Sequence, residues 1–331
     1  MEKREYIGID ISKSTFEAYL YKAGETKGFK NNQQGFDELT KWIEIITKTQ
    51  LDNVALCFEH TGLYSLPLSI YLHEKHACYF VVSGLLVKRS LGLKRGKSDK
   101  IDAQQLSRFA WLYRDELKPY QIPSQVLIKL KQLYSLRARL VKQCSGHKGY
   151  LREIRTVLHI DAEDTIVKTC VELVKVLEKQ IETIEKEITE LIKTDEELLS
   201  TYRNITSIKG VGLVVAVAMI VSTNNFQCFD TWRQFSCYAG IAPFEHSSGL
   251  SYRGKSRISH LGNRQLKTLL SNSAASSIQY DPEMRLYYQR RLAEGKNKMS
   301  TLNIIRNKIV SRIFAVATRR TPYVNLHNYS S

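Results

Sequence analysis

The first part of the chain alternates between short apolar segments and stretches with helical spacing of apolar residues. Tyr6–Ile11 is an apolar run, and Phe16–Tyr21 alternates between apolar and polar positions. Both patterns are typical of β-strands, and a third strand is expected around residues 28–31. The chain therefore begins with three strands that we interpret as hairpin-connected.

Two further strands, each preceded by a helical pattern, follow this hairpin. Apolar residues fall at helical spacing between Phe36 and Ile46, and Val54–Phe58 is an apolar strand of the buried, parallel kind. A helix over about residues 64–75 then leads to a strand at Cys78–Val82. This order of elements is that of a ribonuclease H-like fold. We predict an α/β domain of this type over residues 1–120.

Helical spacing dominates the remaining sequence. A long helix is predicted from Ser124 to about Arg155, and a second over residues 170–191, where the apolar spacings are close to a heptad seam. The seam consists of Cys170, Leu173, Leu177, Ile181, Ile184, Ile188 and Leu191. We interpret it as a coiled coil between subunits, although an antiparallel hairpin within one chain would give the same pattern. Residues 121–204 are thus predicted to be a helical connector, and residues 205–331 a helical domain.

Positive charge is concentrated in the last third of the chain. The net charge of the 331 residues is +16, and residues 205–331 carry 17 basic and 5 acidic residues, which is +12 of that total. A polyanion such as nucleic acid is the partner that this asymmetry favours. A basic surface kept for solubility would not explain the concentration.

The composition excludes several classes of protein. The six cysteines never form a C-x-x-C pair, so we expect neither a disulfide framework nor a structural zinc site. The longest apolar run, at residues 211–221, is too short to span a bilayer, and no signal peptide is expected at the N-terminus. These features indicate a cytoplasmic protein without membrane segments.

Four acidic residues fall where the predicted fold would bring them together. Asp10 lies within the first apolar strand, and Glu59 ends the buried strand, at the edge where open sheets place ligand sites. Asp99 and Asp102 open a helix whose predicted N-cap is Ser98, and their spacing puts them on one face. Asp102 also continues an apolar stripe, a costly position for an unpaired charge.

These four carboxylates predict a metal site. Converging acids repel one another unless a cation lies between them, and Mg²⁺ or Mn²⁺ prefers such hard oxygen ligands. Two ions of this kind would support phosphoryl transfer. Taken singly, each acid has a structural alternative, because first-turn acids such as Asp99 and Asp102 also favour the helix dipole.

Basic and glycine-containing segments provide candidate phosphate-binding residues. The segment Ile208–Ala216 is similar to a helix–hairpin–helix, in which glycines expose backbone N–H groups to phosphate, although a tight turn between buried helices would look the same. The candidates are Lys94, Arg95, Lys97, Gly210, Gly212, Arg253, Lys255, Arg257 and Arg264.

A serine pair offers a candidate nucleophile. Ser247 and Ser248 precede Gly249 in a segment predicted to be a loop, from Ala242 to Gly249. A hydroxyl presented by a tight turn could attack phosphorus. Because Ser-Ser-Gly is common turn material, this chemistry alone does not select either serine.

The sequence resembles the DEDD insertion-sequence transposases, which are related to Piv-type DNA invertases and are also described as bridge-RNA-guided recombinases. The matching segments follow the order of that family along nearly the whole chain. They are Ile7–Lys13, Glu59–Tyr64, Gly96–Ala103, Ile208–Gly212 and Tyr238–Asn263.

The resemblance implies specific roles for these residues. Asp10, Glu59, Asp99 and Asp102 would bind Mg²⁺ in a RuvC-like domain, and Ser248 would form a covalent phosphoserine with DNA in a C-terminal transposase domain. The acids and the serine would form one composite site in a homodimer or tetramer of a prokaryotic protein. A noncoding guide RNA would select the donor and target DNA. This chain has His60 where the family often has a small polar residue.

Three alternatives to DNA recombination belong to other functional classes. A metal-dependent nuclease resembling a junction resolvase would use the same acids with water as the nucleophile. A non-catalytic nucleic-acid-binding regulator would tolerate loss of the acids. A sugar-kinase or actin-like ATPase would also require a glycine-rich adenosine loop late in the chain, which the sequence lacks.

Overall fold

The computed structural model describes residues 5–92, 98–248, 252–258 and 261–324, with the side chains of residues 245–248 and 252–257 left undescribed. The chain divides into two compact units, Met1–Ile122 and Pro123–Ser331. Residues 123–204 of the predicted connector belong to the same unit as residues 205–331.

The first unit contains a mixed five-stranded sheet. Its strands are β1 (Glu5–Ile11), β2 (Thr15–Leu20), β3 (Thr26–Lys30), β4 (Val54–Glu59) and β5 (Cys78–Val82). Their order across the sheet is β3-β2-β1-β4-β5. The pairs β1–β2 and β2–β3 are antiparallel, whereas β1–β4 and β4–β5 are parallel. This mixed α/β arrangement is consistent with the ribonuclease H-like fold expected from the sequence.

Helices cover both faces of the sheet. Those of the first unit are α1 (Gln33–Thr47), α2 (Leu66–Glu74), α3 (Gly84–Leu91) and α4 (Asp99–Leu112). Helices α1 and α2 pack on the face formed by Ile7 and Ile9, whereas α3 and α4 pack on the face of Tyr6 and Cys57. Because side chains alternate along a strand, Asp10 and Glu59 share the face of Tyr6 and Cys57 with α4.

The second unit begins with two long helices, α5 (Gln125–Thr156) and α6 (Thr165–Lys193), that pack antiparallel. Much of the apolar stripe of α6 packs against α5 of the same chain, which is the antiparallel hairpin that the sequence left open as the alternative; a coiled coil between subunits stays a prediction. The buried positions also differ from those predicted: Val174 is buried instead of Leu173, which is 42% exposed, and Ile192 is more deeply buried than its predicted neighbour Leu191. Ion pairs such as Lys129–Glu187 and Lys148–Glu178 flank the seam.

The described part of the second unit contains six further helices. They are α7 (Glu196–Thr206), α8 (Leu213–Thr223), α9 (Trp232–Tyr238), α10 (Arg264–Tyr280), α11 (Pro282–Ala293) and α12 (Lys298–Arg319). One continuous core joins the apolar faces of these helices with the open ends of α5 and α6. Among the described residues, no helix combines the length and apolar character needed to cross a membrane.

An antiparallel hairpin connects α9 to α10. Its strands are β6 (Pro243–Ser248) and β7 (Tyr252–Ile258). The prediction of a loop over Ala242–Gly249 was therefore wrong. Both strands contain serine and charged residues and lack apolar alternation, so periodicity gave no strand signal.

Candidate active site

Helix α4 lies directly against strand β1, and this contact positions the acidic residues. Ser98 caps the helix by accepting a hydrogen bond from the N–H of Ile101 at 3.3 Å, as the sequence predicted. A Cβ at Gly8 would overlap the backbone of Ala103 and Ser107, so only glycine allows this approach. The first turn of α4 is thereby held close to the carboxyl end of β1.

Asp10 is the electrostatic centre of the site. The residue is half-buried, and its pKa is raised to about 6. Burial is the largest cause, followed by the negative charges of Asp102, Asp99 and Glu59, while a backbone hydrogen bond at Ile11 acts in the opposite direction. All three predicted partner acids therefore act on the carboxyl of Asp10.

Glu59 ends β4 on the same face of the sheet. Burial raises the pKa of its carboxyl, Lys88 lowers it, and the charge of Asp102 raises it. A Cβ at Gly84, at the start of α3, would overlap the Glu59 carboxylate. The Glu59 carboxylate thus occupies space that is open only because residue 84 is glycine. Lys88, one helical turn further along α3, offsets its charge.

The helix acids lie in the first turn of α4. Asp99 is exposed and Asp102 is half-buried. In the parts of the chain that the structure describes, no three His, Cys, Asp or Glu side chains lie close enough together to hold a metal ion. The four carboxylates therefore act on one another through charge without forming a closed ligand shell.

The chemistry of the donor set fits a hard divalent cation. All four groups offer carboxylate oxygens, and the pKa of Asp10 is raised by burial first and then by the negative charges of Asp102, Asp99 and Glu59. Asp10, Glu59, Asp99 and Asp102 are the residues that would hold such an ion.

Ser248 lies at the closed end of the hairpin in the second unit. Its backbone pairs with Tyr252, and that of Ser247 pairs with Arg253. The side chains of both serines and the residue Gly249 lie outside the described part, so the choice between the serines stays a prediction.

The structure describes only some of the predicted phosphate-binding residues. Lys94, Arg95 and Lys97 lie outside the described residues, and for Arg253, Lys255 and Arg257 only the backbone in β7 is described. Arg264 is exposed at the start of α10.

The glycines of the predicted helix–hairpin–helix have different environments. Gly210 has a φ of 91°, and its carbonyl accepts a hydrogen bond from Ser273 Oγ at 2.7 Å. It therefore occupies a tight turn packed on α10. Gly212 is exposed at the N-cap of α8, where no side chain caps the helix.

Sequence reasoning missed the residues that support both parts of the site. Gly84 contacts Glu59 only in the folded chain, and a lone glycine gave no signal. At the base of the hairpin, Asn303 and Asn307 donate hydrogen bonds to the carbonyl of Ile241 at 2.8 and 3.0 Å. Gly240 and Gly262 contact each other so closely that neither accommodates a Cβ. Both ends of the hairpin are thus fixed at one point of the core.

Two family profiles match separate parts of the chain. A transposase profile for the DEDD type of IS110 matches residues 7–159. A second profile, described as the transposase IS116/IS110/IS902 family, matches residues 202–289. The two matched regions contain the four acids and the serine hairpin, respectively.

The chain is similar to one relative over its full length and to others over about a third of its length, and their names refer to gene inversion or to insertion elements. The pilin gene-inverting protein of Moraxella bovis is 29% identical over 332 residues, covering 97% of this chain and 98% of the relative. A 43.6 kDa protein of insertion element IS110 from Streptomyces coelicolor is 35% identical over 36% of this chain and 29% of its own length. The transposase of IS1111A from Coxiella burnetii is 28% identical over 37% of this chain and 34% of its own. The chain belongs to the IS110-type family of DEDD transposases.

Proposed function

We propose that this chain is a DNA recombinase that cuts and rejoins DNA strands during transposition or inversion. The observation that carries the proposal is the charge interaction of Asp10 with Glu59, Asp99 and Asp102 on one face of the sheet. The relatives support it, since one is named for the inversion of a pilin gene and another for the transposition of an insertion sequence.

The acids are proposed to hold Mg²⁺ or Mn²⁺. When bound, such a cation polarises phosphate oxygens and stabilises the charge that develops on them during strand cleavage. Asp10 and Glu59 would supply oxygens from the sheet, and Asp99 and Asp102 would supply oxygens from the first turn of α4. Gly84 keeps the space that the Glu59 carboxylate occupies, and Lys88 limits the repulsion there.

Ser248 is proposed to be the nucleophile. Its Oγ loses its proton and forms a bond to phosphorus while the bond between phosphorus and one deoxyribose oxygen breaks. That oxygen takes up a proton, so a DNA end with a free hydroxyl is released and a phosphoserine remains. Attack on that phosphoserine by a DNA hydroxyl restores the serine and joins the strands, so the phosphodiester energy is conserved. The family resemblance and the position of Ser248 at the closed end of the hairpin support this role.

The recognition of DNA is proposed to depend on further partners. A noncoding guide RNA would select the donor and target sequences, and a homodimer or tetramer would combine the acids and the serine of different copies. Both proposals come from the family resemblance. The basic residues of the second unit would bind the phosphate backbones of these nucleic acids.

The proposal is tested by trapping the covalent intermediate. Purified protein is incubated with labelled DNA carrying the element's ends, the flanking RNA and Mg²⁺, and adducts are separated under denaturing conditions. We expect an adduct that disappears in Ser248→Ala and in Asp10→Asn and persists in Ser247→Ala.

Two outcomes would contradict the proposal. DNA cleavage without any adduct, unchanged in Ser248→Ala, would indicate a nuclease that uses water. Loss of the adduct in Ser247→Ala but not in Ser248→Ala would identify Ser247 as the nucleophile.

A further inference from the structure

Three positive side chains surround one aromatic ring on the surface formed by α11 and α12. Lys308 Nζ lies 4.4 Å from the centroid of the Tyr287 ring, and the Cζ atoms of Arg290 and Arg291 lie 5.4 and 6.0 Å from it. Residues 287, 290 and 291 share one face of α11 because their spacing is three and four. We refer to Tyr287, Arg290, Arg291 and Lys308 as the Tyr287 cluster.

The positive charge of this cluster is only partly balanced. Glu294 lies 2.5 Å from Nη1 of Arg291 and 3.8 Å from Nε of Arg290, so the two arginines share one carboxylate. Across the described ranges, Lys308 has no ion pair and the buried Nε of Arg291 has no hydrogen-bond partner. An anion from outside the chain would balance the positive charge that Glu294 leaves uncompensated.

The cluster is accessible and lies in a strongly basic segment. The Arg290 side chain is 67% exposed. Residues 282–308 contain seven basic and two acidic residues. The attraction between cations and the face of Tyr287 holds the side chains in place, which lowers the entropy lost on binding.

We propose that the Tyr287 cluster binds the phosphodiester backbone of a nucleic acid. Guanidinium groups bind phosphate oxygens in a bidentate manner, and a polymer delivers successive phosphates to cations that come from two helices. The inference rests on the proposed function, and it assigns backbone contact to residues other than the four acids, the hairpin and the glycines of the α7–α8 turn. The contact is independent of base sequence.

The test measures binding separately from strand transfer. Full-length protein is titrated, in EDTA, into labelled duplex DNA and labelled single-stranded RNA over a range of salt concentrations. The variants are Arg290→Gln and the combination Arg290→Gln, Arg291→Gln and Lys308→Gln. The matched control removes three exposed charges from α6 by Lys175→Gln, Lys179→Gln and Lys186→Gln.

Loss of the cluster should weaken binding and flatten its salt dependence. With about 0.9 counterions released per phosphate contact, the slope of log K against log salt should fall by about 2–3 in the triple cluster variant, and affinity by about tenfold or more. The α6 control should bind as the wild type does. Arg290→Gln alone, which changes an exposed side chain, should show a smaller loss with an unchanged melting temperature.

The possible results distinguish this inference from the proposed function. Wild-type affinity in the cluster variants, or equal losses in the two triple variants, would overturn the inference while leaving the covalent chemistry intact. A loss restricted to DNA or to RNA would support it and identify the strand. Failure of the wild type to bind either polymer would contradict the proposed function itself.

Discussion

At the scale of single residues, Asp10 shows a conflict between stability and function. Its carboxyl is half-buried and faces the charges of three other acids, so the folded chain favours the protonated form. The pKa is about 6 in the folded protein and 3.8 as the ordinary value. Ionised Asp10 therefore destabilises the fold, and this cost grows as pH rises through the interval between the two values.

Asp10→Asn should stabilise the protein in the absence of divalent cations. We expect a gain of about 1–2 kcal/mol in the free energy of unfolding at pH 8, after allowing for solvent screening of a half-exposed group. Below pH 4 the gain should vanish because the carboxyl is protonated in both states. Urea denaturation in EDTA across this pH range measures the effect.

A surface acid provides the comparison for Asp10. Glu116→Gln changes an exposed residue of the same unit and should leave the stability profile unchanged. A less stable Asp10→Asn variant at pH 8 would show that the ionised carboxyl is not strained in the fold.

Gly84→Ala should impair DNA cleavage far more than folding. The new Cβ would displace the Glu59 carboxylate, which is the flexible end of a side chain, so the cost in stability should stay below about 1 kcal/mol. We expect about a tenfold or greater loss in the rate of adduct formation, measured with thermal denaturation in parallel. Leu85→Ala, which changes an exposed neighbour, should retain activity. A fully active Gly84→Ala variant would show that the position of the Glu59 carboxylate does not depend on the space at residue 84.

At the scale of elements, the sequence predicted the strands and helices whose buried faces leave a pattern of apolar residues. The five strands of the sheet and the cap of α4 were found because apolar runs and Ser98 are local signals. The hairpin β6–β7 was missed because its strands are polar. The partner of the α6 seam could not be predicted, since a heptad pattern shows that a face is covered and does not show which chain covers it.

Gly8→Ala should disrupt the packing of α4 on β1. Its Cβ would overlap backbone atoms of Ala103 and Ser107, which have no rotamer to change. We expect a loss of more than about 3 kcal/mol in the free energy of unfolding, measured by chemical denaturation.

Gly146→Ala is the matched control for Gly8→Ala. Nothing lies within 4 Å of a Cβ at that position in α5, so the substitution should be neutral or stabilising by up to about 1 kcal/mol. Equal stability of the two variants would contradict the close approach of α4 to β1.

At the scale of the whole molecule, the four acids and the excess of positive charge lie in different units. The first contains the four acids, and the second contains most of the positive charge excess. Charge counting along the sequence revealed this division. The interaction of the acids could be predicted once the order of the strands was correct. The contact of Gly84 with Glu59 and the hydrogen bond of Asn303 to Ile241 at the base of the hairpin join residues that are distant in sequence. No local pattern predicts such contacts.

Residues 1–122 should fold when expressed alone. The sheet of this unit has apolar cores on both faces, formed by its own helices. We expect a single cooperative thermal transition by circular dichroism, which should be lost in Leu56→Asp because Leu56 is fully buried. A fragment that melts without cooperativity would indicate that its stability depends on the second unit.

The close contact of Gly240 with Gly262 has a consequence for how this family diversifies. A segment that leaves and re-enters the core at one contact adds little loop-closure entropy when its length changes. We therefore expect the twenty-odd residues between these glycines to tolerate replacement as a unit. Exchange of that segment between relatives would transfer Ser248, the proposed nucleophile, together with Arg253 and Lys255, while the helices of the core stay unchanged.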